Sequence, residues 1–422
     1  MHRRISTASL VGGREEVSLS PGKYRRALSC HKQFHALRVS LVFLHRAAAC
    51  PLLLPGNCIC CPDILLSRFD QRISSSVPQL FGPESNPDRF GFALSRQTMS
   101  NWILYVAQTH LRPVYEYLCQ LLKGYRYQHC DETYYSVVLD ERGPGAKSFI
   151  WVHRSGELAD VPQIVAYCHE KTRGADHLRN FYAGLLEMIY LTCDAYTAYP
   201  CIDDESNGLI TLTGCFMHCR RRFVEALLVL NLKGLTDEQI RNLPEAQAIL
   251  LIREIYLAED TLKEPSPDER LKCRRKEVLP KVNVFFDFIR SIDLDNPLLN
   301  EKMQDAVQYA LGQEICLRRF LTDGSISIDN GIAERSVKPV ALYRRNSLFS
   351  FSVTGADPMV TIFTLIETAK ANGADPYFFL KYLMEQMPKH LYDKGRDYMP
   401  DLMPWSNQYR RYESTYRAAE PG

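Results

Sequence analysis

The stretch Asp329-Asn330-Gly331-Ile332-Ala333-Glu334-Arg335-Ser336-Val337-Lys338-Pro339, closely followed by Tyr343-Arg344-Arg345-Asn346-Ser347-Leu348-Phe349, decides how the rest of the chain is read. Asp329 and Asn330 carry N-cap chemistry, a helix follows, and Pro339 is expected to stop it. Glu334 then sits on the first turns of that helix, an acid among cations. Such a carboxylate is either one half of a surface ion pair or a metal ligand close to an anionic polymer. Acids elsewhere in the chain have to decide between the two.

Working outward, the segment before this stretch reads as helical from about 231 to 320. Thr236-Asp237-Glu238-Gln239 and Ser266-Pro267-Asp268-Glu269 are capping boxes, the second with Pro at the first helical position. Ile249, Ile252 and Ile255, then Phe285, Phe288 and Ile289, supply apolar faces. Further back the period changes. Residues 134–139, 148–153 and 163–167 are short β-rich runs separated by Gly143-Pro144-Gly145 and Gly156, the pattern of an antiparallel meander. A helix over 175–186, a fourth strand over 188–193, a fifth over 209–216 and a helix beginning near His218 complete the order.

Three antiparallel strands, a helix, a further strand and a helix is the order of a ribonuclease-H-like α/β domain, a mixed five-stranded sheet with helices. Here an all-helical insertion interrupts it and a helical tail follows. The expected organisation is an atypical, disordered segment over 1–84, a helical lead-in over 85–125, the first part of the catalytic domain over 126–230 and the insertion over 231–322. The second part, with Glu334, spans 323–372, and a helical C-terminal region spans 373–422. In that topology Asp131 lies at the first strand, Asp194 at the end of the fourth and Glu334 on a late helix. Each acid alone reads as a turn or cap residue. Together they suggest an oxygen-ligand site for Mg²⁺ or Mn²⁺.

Composition limits the alternatives. With 422 residues, 46% hydrophobic and 24% charged, the chain can bury a core spread over two or three domains. A net charge of +2 does not advertise a nucleic-acid binder, so any such surface comes from local clusters such as Arg220-Arg221-Arg222 and Arg344-Arg345. Each cluster alone also reads as a solvated helix face. The fourteen cysteines follow no regular spacing, which points to reduced thiols and a cytoplasmic protein. No run of eighteen apolar residues offers a membrane span.

Residues 1–84 differ from the rest, with eleven Lys and Arg against five Asp and Glu and with Cys58-Ile59-Cys60-Cys61 bunched together. That cluster lacks the paired C-x2-C partners of a zinc module. Order is expected from Phe92, with a helix start at Ser95 and apolar positions Leu111, Val114, Tyr115, Leu118 and Leu122 at helical spacing.

The blocks His129-Cys130-Asp131-Glu132-Thr133, Asp194-Ala195-Tyr196-Thr197-Ala198-Tyr199, Gly214-Cys215-Phe216-Met217-His218-Cys219-Arg220-Arg221-Arg222-Phe223 and Asp329-Asn330-Gly331-Ile332-Ala333-Glu334-Arg335 stand in a telling order. Glu367-Thr368-Ala369-Lys370-Ala371-Asn372-Gly373 and Leu402-Met403-Pro404-Trp405 follow them. From about Phe92 to Trp405 the chain resembles the insertion-sequence 66 family of DDE transposases. The resemblance implies a DNA transposase with catalytic, metal-binding acids at Asp131, Asp194 and Glu334 and two Mg²⁺ or Mn²⁺ ions. Phosphoryl transfer of this kind uses two metals roughly 3.5–4 Å apart.

The resemblance also puts a His at the place of His218, near the acids. A phosphate-contacting or acid-orienting role is the preferred reading, with packing as the other. Arg221, Lys338, Arg344 and Arg345 are the expected DNA-phosphate contacts, which set register and affinity rather than sequence choice. Gly331, Lys338 and Arg345 replace the residues common in the family, and Gly331 is expected to loosen the first helical turn. The expected partners are transposon ends and target DNA, further copies of the chain on paired ends, and accessory proteins of the same element. Residues 1–84 match none of the family's front modules, which suggests a truncated, shifted or out-of-frame start. Two other readings stay open: a non-catalytic DNA-binding remnant of such an element, and a nuclease without strand transfer.

Overall fold

Every other strand attaches, directly or through a neighbour, to β1 (Tyr127–Leu139), rich in Tyr, Thr and Val. The computed structural model describes residues 104–139, 142–143, 146–262, 265–297, 299–347, 350–393 and 395–419. The segment 1–84, its Cys58-Ile59-Cys60-Cys61 cluster and the helix start at Ser95 lie outside the described residues. Antiparallel β2 (Lys147–Ser155) and then antiparallel β3 (Val165–Glu170) flank β1 on one side. Parallel β4 (Ile189–Thr192) and then parallel β5 (Ile210–Thr213) flank it on the other. The order is β3-β2-β1-β4-β5, the mixed five-stranded sheet expected, and a short β6 (Ser350–Ser352) joins the far end of β1, with Val137 opposite Ser350.

Helices cover both faces of this sheet. Before it comes α1 (Arg112–Lys123), and between its strands lie α2 (Asp176–Phe181) and α3 (Ala198–Glu205). After β5 comes α4 (Phe216–Leu228), then a wholly helical block: α5 (Asp237–Arg241), α6 (Pro244–Asp260), α7 (Pro267–Cys273), α8 (Leu279–Arg290), α9 (Glu301–Gly312) and α10 (Glu314–Arg318). Both capping boxes read from the sequence are formed, at Thr236 and Ser266. The chain returns to the sheet through α11 (Gly331–Ser347) and α12 (Val353–Ala371), then ends in α13 (Pro376–Gln386), α14 (Met399–Leu402) and α15 (Asn407–Ala419).

Alternation along the strands sorts the side chains. Cys130, Trp151 and Ala166 point to one face, into a core shared with α1, α2, α3 and the C-terminal helices. Tyr135, Ile150, Val152 and Tyr167 point to the other, against Val340 of α11 and Val360 and Phe363 of α12. A third core lies inside the helical block, where Phe216 and Phe223 of α4 meet Ile252, Phe285 and Val307. Fully buried Arg274 pairs with Glu259 and donates to the carbonyls of Phe320 and Asp323 at 2.7 and 2.8 Å. A buried cation so completely hydrogen-bonded ties the block to the segment that leads into α11.

Several boundaries differ from the sequence reading. β1 starts at Tyr127, not 134, so Asp131 is inside the strand. The polar run His129 to Glu132 sits there because alternation sends Cys130 inward while Asp131 faces α11. The helix expected over 175–186 stops at Phe181, and Gly184 then takes a φ of +78° that a helix cannot use. The fourth and fifth strands are four residues each. Pro339 does not end its helix: α11 continues through it to Ser347. Proline removes one donor from the interior of the helix, and the burial of Ile332, Ala333, Ser336 and Val340 along one side keeps the remaining turns in place.

β5 ends at a backbone crossing that admits no side chain. The Gly214 amide donates to the Cys316 carbonyl at 2.9 Å, and a Cβ on Gly214 would stand 2.9 Å from the Leu317 nitrogen. Gly214→Ala is therefore expected to cost about 1–3 kcal/mol, read as a lower denaturant midpoint at an unchanged slope.

Candidate active site

Asn330 sets the position of everything around it. It is fully buried, its Nδ2 donates to the Cys130 carbonyl at 2.7 Å, and its Oδ1 lies 3.0 Å from His129 Nδ1. Because the amide nitrogen is committed to Cys130, Oδ1 accepts and His129 carries its proton on Nδ1. Burial pushes the His129 pKa down to about 4, so the ring is neutral. The Asn330 backbone amide meets Cys215 Sγ at 3.2 Å. One side chain and one amide thus join the start of α11 to β1 and to the segment between β5 and α4.

Asp329 performs the capping expected of it. Its Oδ1 accepts from the Gly331 amide at 2.8 Å and its Oδ2 from the Tyr256 hydroxyl at 2.7 Å. A Cβ on Gly331 would come within 2.9 Å of that Oδ1, so the glycine belongs to a tight, capped first turn rather than a loose one.

Asp131, Asp194 and Glu334 come into one region. Asp131 has its carboxyl raised to about 8, first by burial, then by the charges of Glu132, Glu334 and Asp194, against a backbone hydrogen bond from Glu132. Glu334 is engaged by Arg221 Nη2 at 3.2 Å and by His218 Nε2 at 3.3 Å. Asp194 Oδ2 stands 3.9 Å from Arg173 Nη2, and its Oδ1 accepts from the Tyr196 amide at 3.0 Å. The carboxylates are not drawn into a closed shell: the group of three donors lying within 4.8 Å of one another, among the described residues, is elsewhere. Each of the two outer acids is instead held by a cation.

His218 lies on the first turn of α4, where burial lowers its pKa against the opposite pull of Glu334. Its Nε2 faces Glu334 at 3.3 Å, and its Nδ1 is buried without a hydrogen-bond partner. Lys338 is exposed one turn beyond Glu334 on α11. The side chains of Arg344 and Arg345 lie outside the described residues, although both fall within α11.

Residues that the sequence reading did not single out complete the site. Glu132, on the opposite face of β1 from Asp131, has a side chain 1% exposed, accepts from Tyr199 OH at 2.8 Å and is ion-paired with Arg173. Arg173 in turn lies over the Tyr196 ring at 3.7 Å. Arg173, Asp194, Tyr196, His218, Arg221 and Tyr309 line a cleft of about 380 Å³. Glu132 was visible as an acid beside Asp131, but Arg173 sits in a turn with no periodicity to mark it.

Hard carboxylate oxygens from a strand, a strand end and a helix turn, beside a cleft edged with arginines, define a site suited to a divalent cation and a polyanion. The Transposase IS66 family matches this sequence over residues 84–358 and the IS66 C-terminal element over residues 364–405, so the chain belongs to the IS66 transposase family. Among curated proteins it is similar to three uncharacterized proteins of Sinorhizobium fredii, y4qI, y4jD and y4hP. To y4qI it is 28% identical over 326 residues, which are 75% of this chain and 57% of the relative. To y4jD it is 28% identical over 330 residues, 75% of this chain and 60% of the relative. The chain thus spans less than two thirds of the length of these relatives. Among solved structures it overlaps a chain of the Drosophila P element transposase strand transfer complex at a TM-score of 0.34 and 10% identity, covering 72% of this chain and 98% of that one. No helix among the described residues is long and apolar enough to cross a membrane.

Two stability measurements test the geometry. Asn330→Ala leaves a buried carbonyl and a buried imidazole without their partner and is expected to cost about 3 kcal/mol in denaturant unfolding. Asp131 retains its proton to about pH 8 when folded, against an ordinary value of 3.8, so its contribution to stability falls as pH rises through that window. In metal-free buffer Asp131→Asn should match the parent in unfolding free energy near pH 4 and exceed it near pH 8, by at most about 4 kcal/mol because solvent still reaches the group. Parallel free-energy curves across that window would contradict the burial of this carboxyl.

Proposed function

We propose that the chain is the catalytic part of a DDE transposase, which cuts and joins DNA strands by phosphoryl transfer at Asp131, Asp194 and Glu334. The observation that carries this reading is geometric: Asn330 pins the start of α11 to the Cys130 carbonyl beside Asp131, and β4, which leads into Asp194, pairs with that same part of β1. Three acids from remote parts of the chain are held close enough to repel one another, at an energetic cost that a divalent cation would relieve. The sheet order β3-β2-β1-β4-β5 supports a ribonuclease-H-like domain, with residues 231–322 as an insertion and 323–372 as its second part.

The donor set fits Mg²⁺ or Mn²⁺, which favour carboxylate oxygens. When bound, two such ions would activate the attacking hydroxyl and stabilise the leaving oxygen. The chain's own residues do the rest. Asn330 fixes Glu334 relative to Asp131. His218 and Arg221 orient the Glu334 carboxylate, and Arg173 braces Glu132 behind the strand and faces Asp194. Arg221 and Lys338, with Arg344 and Arg345, supply positive charge along α4 and α11 for the DNA backbone, which positions a strand without reading its sequence. Transposon ends, target DNA, further copies of the chain and accessory proteins of the element are the partners of this reading.

The test is strand joining of a pre-nicked DNA end in Mg²⁺ or Mn²⁺. Joined product from the parent, lost at least a hundredfold in Asp131→Ala, Asp194→Ala and Glu334→Ala, is the expected outcome. DNA binding with no joining would favour the non-catalytic remnant, and cleavage with no joined product a nuclease. Lys338→Ala should weaken binding to all sequences alike and flatten the dependence of log K on log salt by about one.

A further inference from the structure

On the other face of the sheet from α11, His153 of β2, Cys168 of β3 and His177 of α2 place one donor atom each within 4.8 Å of the others, the two histidines buried and the cysteine partly so. The strand register explains the meeting. Trp151 is opposite Cys168 and His153 opposite Ala166, so His153 and Cys168 are diagonal neighbours on one face, and α2 lays His177 across them. The two imidazoles point the same atom at each other: His153 Nε2 and His177 Nε2 are 2.8 Å apart.

Their outer nitrogens are already committed. His177 Nδ1 lies 3.0 Å from Glu170 Oε1, and a carboxylate can only accept, so His177 carries its proton on Nδ1. His153 Nδ1 lies 3.1 Å from Tyr182 OH, which is also 3.4 Å from Gln128 Oε1, so the hydroxyl can accept from His153 Nδ1 or donate to it. The two Nε2 atoms face each other across 2.8 Å inside the core, and in the tautomer where His153 donates to Tyr182 both present lone pairs that a cation between them would hold together.

From this geometry we infer a thiophilic metal site, independent of the acidic site, in which His153 Nε2, His177 Nε2 and Cys168 Sγ bind Zn²⁺. The donor types suit zinc, which takes neutral imidazole and thiolate and avoids the all-oxygen shell preferred by magnesium. Glu170 and Tyr182 act as the outer partners that fix ring orientation in such sites. Tetrahedral coordination would open the two nitrogens to roughly 3.3 Å, a small rotation of either ring. Burial makes the Cys168 thiol reluctant to ionise by itself, and a bound cation offsets that cost directly. Tyr115 OH, 3.3 Å from Cys168 Sγ, stands on the remaining side of the sulfur. The ion would pin β2, β3 and α2 together and has no part in phosphoryl transfer.

The full chain, purified with a thiol reductant, stripped with a chelator and dialysed against Zn²⁺, is assayed for zinc per chain by mass spectrometry. Cys168→Ser and His177→Gln, each checked for a native circular dichroism spectrum, are expected to lose one zinc per chain relative to the parent. Cys58→Ser/Cys60→Ser/Cys61→Ser controls for the other cysteine cluster and should keep that ion. Co²⁺ added to the unaltered chain should give the near-ultraviolet thiolate charge-transfer band and the intense visible bands of four-coordinate cobalt, both absent in Cys168→Ser. Equal zinc in all variants, or a cobalt spectrum that survives Cys168→Ser, would overturn the site. In that case a hydrogen-bonded chain, with Tyr182 donating to His153 and His153 to His177, explains the short contact.

Discussion

A single buried amide, that of Asn330, carries the relation between a strand and a helix far apart in sequence. It gives its protons to the backbone beside Asp131 and takes one from a histidine that burial keeps neutral. Neither partner is exposed to solvent, so the desolvation cost of the carbonyl and the ring rests on one residue. Glu334 begins four positions later. Its placement is therefore inherited from a hydrogen-bonded joint rather than from the ion pairs it makes at its tip, which involve a half-exposed arginine and are individually weak.

The charges around that joint are arranged in opposition. Acids are gathered around β1 on both of its faces, and Glu132, Asp194 and Glu334 are each matched by an arginine, Arg173 for the first two and Arg221 of α4 for the third. Asp131 has no cation against it in the contacts described, and burial raises its proton affinity, so this carboxyl is one place where a change of ligand or pH acts on the assembly.

Much of this was legible in the sequence, for identifiable reasons. The capping boxes at Thr236 and Ser266 and the Asp329 cap are local rules that need no tertiary context, and they hold. Glu334 falls on the first turns of its helix because Asp329 starts that helix. The succession of strands along the chain, though not their bounds, followed from the change of period between 134 and 216. What was not legible depends on packing. The polar run around Asp131 resembles a turn, and only pairing with both β2 and β4 makes it a strand. Pro339 signals a stop that the buried side of α11 overrides. Asn330 looks like a second cap residue, and nothing local says that its amide is spent on β1. Arg173 and the meeting of His153 with His177 arise across strands and elements, where no spacing rule reaches.

The helical block between α4 and α11 begins and ends at the same place. The Gly214 amide bonds to Cys316, and the Phe216 amide to the Ile328 carbonyl at 3.2 Å, so its two ends are stitched together beside β5. A disordered loop of that length would charge the sheet a large entropy of closure before α11 could reach β1. A block with its own aromatic core and adjoining ends removes most of that cost once it has folded. To the sheet it is kinetically a short connection, so a chain with very distant contacts between β1 and α11 can assemble them as though they were near neighbours.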